Sequence, residues 1–254
     1  MYQGFYNLTS GMLTQSRNLN VISNNMVNLE TAGYKKDTMV SSTFGEEMLY
    51  RIGRHTDQRW VEMGQTSKIS TADRVYVSYE QGALHTTDGL YDFAIQGKGF
   101  FRIQTNDGPR YTRNDSFAVD AQGYLTLSGI GRVMDTNNRP IRIDNENFTV
   151  DSSGTIYVTD NVRGTYVAGT IKLVDFADYN ALHKEDNGVF STNQAEIIPQ
   201  NSSIMWKTVE RSNVNLIDEM TSMMASQRAL QSAAQVLKMY DQVMGKASTE
   251  VGRL

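Results

Sequence analysis

Large apolar residues recur at alternating steps of three and four near the start of the chain, at Phe5, Leu8, Met12, Leu19, Ile22, Met26 and Leu29, with Gln15 in a polar slot. This spacing predicts an amphipathic helix of roughly 25 residues, about 40 Å long. Gly33 is its expected stop. The rhythm returns near the end, at Leu216, Met220, Met223, Leu230, Ala234, Leu237 and Met244, with Gln227 and Asp241 as polar slots. Ser212 or Asn213 is the expected cap of this second helix, and Asp218 and Glu219 suit its positive end. A period near 3.5 residues is that of a coiled coil. The two stripes are therefore expected to pair with each other, although such a stripe also marks an ordinary core face. The crowded methionines Met220, Met223 and Met224 fit either an intrachain core or flexible gap-filling between subunits.

Between the stripes the period changes to two. Arg74–Tyr79, Phe93–Ile103 and Thr170–Phe176 alternate as strands do, and Asp88-Gly89 and Asn106-Asp107-Gly108 punctuate them. The segment from Phe117 to Leu127 repeats as Phe148 to Val158, with the shared pattern F-x-V-D-x-x-G followed by two alternating aliphatic residues. Each copy predicts a β-hairpin. Asp120 or Asp151 starts the turn through its side-chain oxygen, and Gly123 or Gly154 supplies a positive φ. A calcium loop is disfavoured, because each turn offers one carboxylate where calcium takes 6–8 oxygens.

Composition narrows the function. Among 254 residues there is no cysteine, which removes disulfides, thiolate metal sites and thiol nucleophiles. His55, His85 and His183 are too far apart in sequence for a histidine-rich metal site. A net charge of -4 argues against a partner held by phosphate neutralisation, so no nucleic acid is expected. No apolar run is long enough to span a membrane. The first residues lack the pattern of a cleaved secretory signal.

Catalytic signatures are equally sparse. The chain contains no G-x-S-x-G, phosphate-binding loop or H-E-x-x-H. Gly97-Lys98-Gly99 leads into an alternating strand, so no helix N-terminus receives an anion there. Two carboxylates suffice for a glycosidase, yet Trp60 and Trp206 are the only tryptophans available to line a sugar subsite. No catalytic, cofactor-binding or metal site is expected.

Three motifs in order resemble the bacterial flagellar basal-body rod and hook protein family. The first is the Asn-rich end of the opening stripe, Asn24, Asn25 and Asn28, followed by Thr31, Gly33, Tyr34 and Lys35. The second joins Gln81, Gly82, Thr87, Asp92, Ala94, Ile95, Gly97, Gly99, Phe100 and Phe101 to Tyr111-Thr112-Arg113, Asp120 and Gly123. Asp115 stands where the family commonly has glycine. The third opens the closing helix at Ser212, Asn213 and Val214. The length is similar to that of rod proteins, without separating proximal from distal ones.

The resemblance implies an α+β fold in which long terminal helices pair as a coiled-coil layer around an inserted, mostly antiparallel β-rich domain. The expected boundaries are a helix over 1–34, an extended variable segment over 35–74, the β-rich outer domain over 75–205 and the closing helix over 206–254. It also implies a structural axial subunit polymerising into a hollow helical tube that carries torque from motor to hook. Its partners would be further copies of itself, neighbouring rod and hook proteins and the flagellar type III export apparatus, with export lacking a cleaved leader. A secreted carbohydrate-binding or hydrolytic protein and a coiled-coil adaptor are the rival readings.

Overall fold

The computed structural model describes residues 2–52, 60–160 and 163–252. The chain is α+β: helix α1 (Tyr2–Val27), a β-rich middle, and helix α2 (Leu216–Val251). It divides into two compact units. One comprises α1, α2 and residues 37–76; the other comprises residues 28–36 and 77–214.

In the helical unit, α1 has 26 residues and α2 has 36. The helix α1 ends at Val27, so Leu29 lies in the turn beyond it and Gly33 stands six residues past the stop, at φ +67°. The cap of α2 is Asn215, whose side chain accepts a hydrogen bond from the Ile217 amide at 3.0 Å. The expected caps are engaged elsewhere: Asn213 binds the backbone of Lys36, Ser78 and Glu80. Asp218 and Glu219 do occupy the first turn, where the helix dipole favours negative charge. Two strands, Asp37–Ile52 and Trp60–Val77, pair as a two-stranded sheet. Residues 53–59 of the variable segment lie outside the described residues.

The second unit is an antiparallel β structure built around an eight-stranded sheet, a three-stranded sheet and two smaller pairs. The repeated hairpins form in matching register, Phe117 opposite Leu127 and Phe148 opposite Val158. Asp120 accepts from the amides of Gln122 and Tyr124, and Gly123 and Gly154 take φ of 86° and 80°. Arg132 occupies the second Asp120 oxygen at 2.9 Å, so this carboxylate serves the turn.

Alternation along Phe100–Thr105 splits the interior into two clusters. Phe101 and Ile103 join Phe93, Leu125, Val133 and Ile156 in the larger one. Phe100 turns the other way, to Tyr111, Phe176 and Phe190. Period-two alternation on a strand covered on both faces produces this division.

Candidate functional site

Four of the motif residues of the β unit, Gly33, Lys35, Gly82 and Arg113, meet around one buried acidic residue. Glu210, on the strand Thr208–Glu210, is 1% exposed and takes a 2.6 Å ion pair from Lys35, which is equally buried. The same oxygen accepts the Gly82 amide at 2.9 Å, and the other accepts Arg113 at 3.2 Å. Lys35 also donates to the Glu80 carbonyl at 2.7 Å, and Arg113 to the Gly97 carbonyl at 2.7 Å. Burial of such a pair is tolerable only when the remaining donors and acceptors are satisfied in this way. Burial lowers the Lys35 pKa, and Glu210 partly restores it.

Glycines allow the backbones to close on this cluster. A Cβ on Gly33 would lie 2.1 Å from the Arg113 carbonyl oxygen, and one on Gly82 would lie 1.9 Å from that of Arg211. The Gly33 amide donates to the Glu210 carbonyl at 2.8 Å. Gln81 ties in the next loop, donating to the Ile95 carbonyl at 2.7 Å and accepting the Gly97 amide at 3.1 Å. Lys184 lies 4.0 Å from the Tyr34 ring centre and donates to the Lys35 carbonyl.

Asp115 completes the cluster. It is fully buried, accepts the Glu210 amide through Oδ2, and makes no hydrogen bond through Oδ1 among the described residues. Burial pushes its pKa up to about 7, and the Glu210 and Asp92 carboxylates add to the effect. Its backbone lies outside the positive-φ region, so a side chain is accommodated at this position.

Asn213 performs a second tying role. Its Oδ1 accepts the Lys36 amide at 2.7 Å, while Nδ2 donates to the carbonyls of Ser78 and Glu80. Three segments distant in sequence, around residues 35, 80 and 213, are thus fastened within this unit. Ser212 binds locally to the Val214 amide, and Val214 is buried. Thr31 donates to Asn28 at 3.1 Å, and Gly97 and Gly99 turn the chain at φ 105° and 111°. Asn24 is exposed on α1. Glu210 and Asp115 were invisible as partners in the sequence, because no local pattern marks a buried carboxylate whose partner lies 175 residues away.

The helices meet in the other unit along a different set of contacts. Asn18 donates to Ser226 at 3.0 Å and Asn25 to Glu219 at 3.3 Å, while a Cβ on Gly4 would lie 2.8 Å from the Tyr240 hydroxyl. Moving from 4 to 18 to 25 takes steps of 14 and 7, and from 240 to 226 to 219 the same steps backward, so the helices run antiparallel. Asn25 also holds the Asp37 amide and carbonyl at 2.9 and 2.8 Å.

Of the apolar stripe, Ile22 is buried, while Leu8, Met12, Leu19, Met26, Leu29, Met223, Leu230 and Leu237 are half-buried. Phe5, Leu216, Met220 and Met244 are exposed. Among the described residues no three His, Asp or Glu side chains converge as metal ligands, and no helix is long and apolar enough to cross a membrane.

The comparisons fall on the same three regions. Residues 5–35 match the flagella basal body rod protein family, residues 94–158 the D1 domain of the flagellar hook protein FlgE/F/G family, and residues 207–250 the C-terminal region of the flagellar basal body rod FlgEFG proteins. The chain is 30% identical to the flagellar hook-basal body complex protein FlhO of Bacillus subtilis, with 100% of each chain covered. It is 31% identical to the flagellar basal-body rod protein FlgG of Bacillus subtilis, over 96% of this chain and 97% of that one. Identity to the rod protein FlgF of Caulobacter vibrioides is 27%, covering 96% of both. The chain belongs to the flagellar basal-body rod protein family.

Proposed function

We propose that this chain is an axial structural subunit of the flagellar basal-body rod that polymerises with further copies of itself into a hollow helical tube, with α1 and α2 pairing as a coiled-coil layer. The observation that carries the reading is the apolar surface on α2: Ile217 is 73% exposed and Val243 63%, with Met220, Met224 and Met239 also open. Every residue of α2 from 241 to 250 is exposed. An unaccompanied helix end of this length is marginal in water. Neighbouring copies would cover it, and heterologous contacts of this kind extend without closing.

The site residues then take assembly roles. The stripe of α1 and the row Leu216, Met220, Met223, Leu230, Leu237 and Met244 serve helix packing within and between subunits. The buried cluster around Glu210 fastens the roots of the motif segments so that load passes through many contacts. Torque transmission is mechanical on this reading and needs no catalytic step. Kinship with the rod proteins supports a place in the basal body beside other rod and hook components. Export through the type III apparatus belongs to the same proposal.

Sedimentation over a concentration series, with electron microscopy of the pellet, tests the reading. Ile217→Glu with Met220→Glu should abolish polymers of the full-length chain while circular dichroism stays unchanged. Polymers forming as before in that variant would count against it.

A further inference from the structure

The helical unit carries a second seven-residue rhythm on α1, on the side turned away from α2. Gly4, Asn18 and Asn25 meet α2. Two residues on from that row, roughly 200° around the helix, stand Tyr6, Leu13, Asn20 and Val27. Tyr6 is 62% exposed, Leu13 58% and Val27 79%. Three residues after the first three of these come Thr9, Ser16 and Ser23, all small and exposed. The Thr9 hydroxyl is spent on the Phe5 carbonyl of its own helix, at 2.9 Å.

Helix α2 has a matching stripe beside its contact with α1. One residue before Ser226, Ala233 and Tyr240, roughly 100° around the helix, lie Ala225, Ser232 and Met239, and four residues after each come Ala229, Val236 and Val243. All six are exposed, Met239 at 56% and Val243 at 63%. Alternating steps of three and four sustained over several turns make a seam for another helix. Neither seam is covered by the described residues.

Charge, length and shape point to a second copy as the cover. Neither stripe contains a charged residue, and Arg17 is the only one on α1. A partner recognised by its charge has nothing to engage there, whereas two such faces meet without taking an ion out of water. From Tyr6 to Val27 the first stripe is roughly 32 Å long, and from Ala225 to Val243 the second is roughly 27 Å. The small residues Ala225, Ala229 and Ser232 leave room for a large side chain such as Leu13 to enter between them.

We propose, resting on the polymer reading above, that the face of α1 bearing Tyr6, Leu13 and Val27 in one copy packs against the face of α2 bearing Ala225, Ser232 and Val243 in the next. Each copy offers one face of each kind, on different helices, so the contact is heterologous and repeats without closing. It is separate from the surface around Ile217 and Met220, which lies on another side of α2.

The chain contains no cysteine, so a disulfide between two single-thiol copies reports one contact. Full-length Ser16→Cys chains are mixed in equal amounts with chains carrying Ala225→Cys, Ala229→Cys, Ser232→Cys, Val236→Cys or Val243→Cys, then polymerised and oxidised with copper phenanthroline. At least one mixture should give linked pairs at five times or more the level found with Gln227→Cys or Gln231→Cys, which are exposed positions on other sides of α2. No pairs above that level in polymers that do form would overturn the proposal and leave the polymer reading standing. Pairs formed as readily by one variant alone, which mean that like faces meet, would overturn it equally. A parent chain that forms no polymer would sink both.

Discussion

Lys35 and Glu210 stand 175 residues apart in sequence and share an ion pair of 2.6 Å in which each side chain is 1% exposed. Removing one member leaves a buried charge with fewer partners. Lys35→Met should destabilise the chain by about 3 kcal/mol, the lower end for a broken buried pair, since Arg113 still holds Glu210. Lys35→Met combined with Glu210→Met should cost less than the two single changes added together. Urea denaturation of the four proteins measures both quantities.

Asp115 sets a pH dependence with a definite sign. Its folded pKa is raised to about 7 from an ordinary 3.8, so its contribution to stability is fully present below about pH 4. That contribution is lost as pH rises and the unfolded chain ionises, and the loss levels off above about pH 7. Lys35, Arg113, Glu210 and Asp92 are the charged groups around it. Asp115→Asn should flatten the melting-temperature profile between pH 4 and 7 relative to the parent. Parallel profiles for the two proteins would refute the assignment to Asp115.

Gly33 carries two constraints at once, a positive φ and backbone contact. At φ +67° with the Arg113 carbonyl 2.1 Å from the position of a Cβ, Gly33→Ala cannot be accommodated without moving the main chain. A loss of at least about 1–3 kcal/mol is expected from strain of this kind. Thermal unfolding followed in the far ultraviolet measures it.

The two glycines of α1 should respond differently. A Cβ at Gly11 meets nothing within 4 Å, so Gly11→Ala should gain the helix-propensity difference of about 1 kcal/mol. At Gly4 the same change meets the Tyr240 hydroxyl at 2.8 Å, and the tyrosine must shift, which offsets most of the gain. Chemical denaturation of the two single variants should show Gly11→Ala to be the more stable.

The helices and the twin hairpins were legible in the sequence because their signals are local: a 3.5-residue stripe, and Asp with Gly at fixed offsets. The polar contacts between the helices were not. Counting apolar residues picks out Phe5, Leu8, Met12, Leu19 and Ile22 on α1 and Leu216, Met223, Leu230 and Leu237 on α2, whereas the hydrogen bonds and the closest glycine contact between the helices use Gly4, Asn18 and Asn25 with Tyr240, Ser226 and Glu219. A hydrophobic pattern cannot register hydrogen bonds between asparagine and glutamate on opposite ends of the chain. The cap at Asn215 was missed for a related reason, since Asn213 has equal capping chemistry but is committed to Lys36, Ser78 and Glu80. In the β unit the motif glycines were visible as motifs, while the carboxylate they enclose became visible only in three dimensions.

The central claim is that this chain builds a tube through its helices. A helical reconstruction of the filament formed by the purified full-length chain tests it most directly. The account predicts α1 and α2 of each subunit antiparallel on the inner wall, Gly4 against Tyr240, with Ile217, Met220 and the turns of α2 beyond Tyr240 buried by neighbouring copies. A filament joined only through the β-rich units, with those helix surfaces open to solvent, would contradict it.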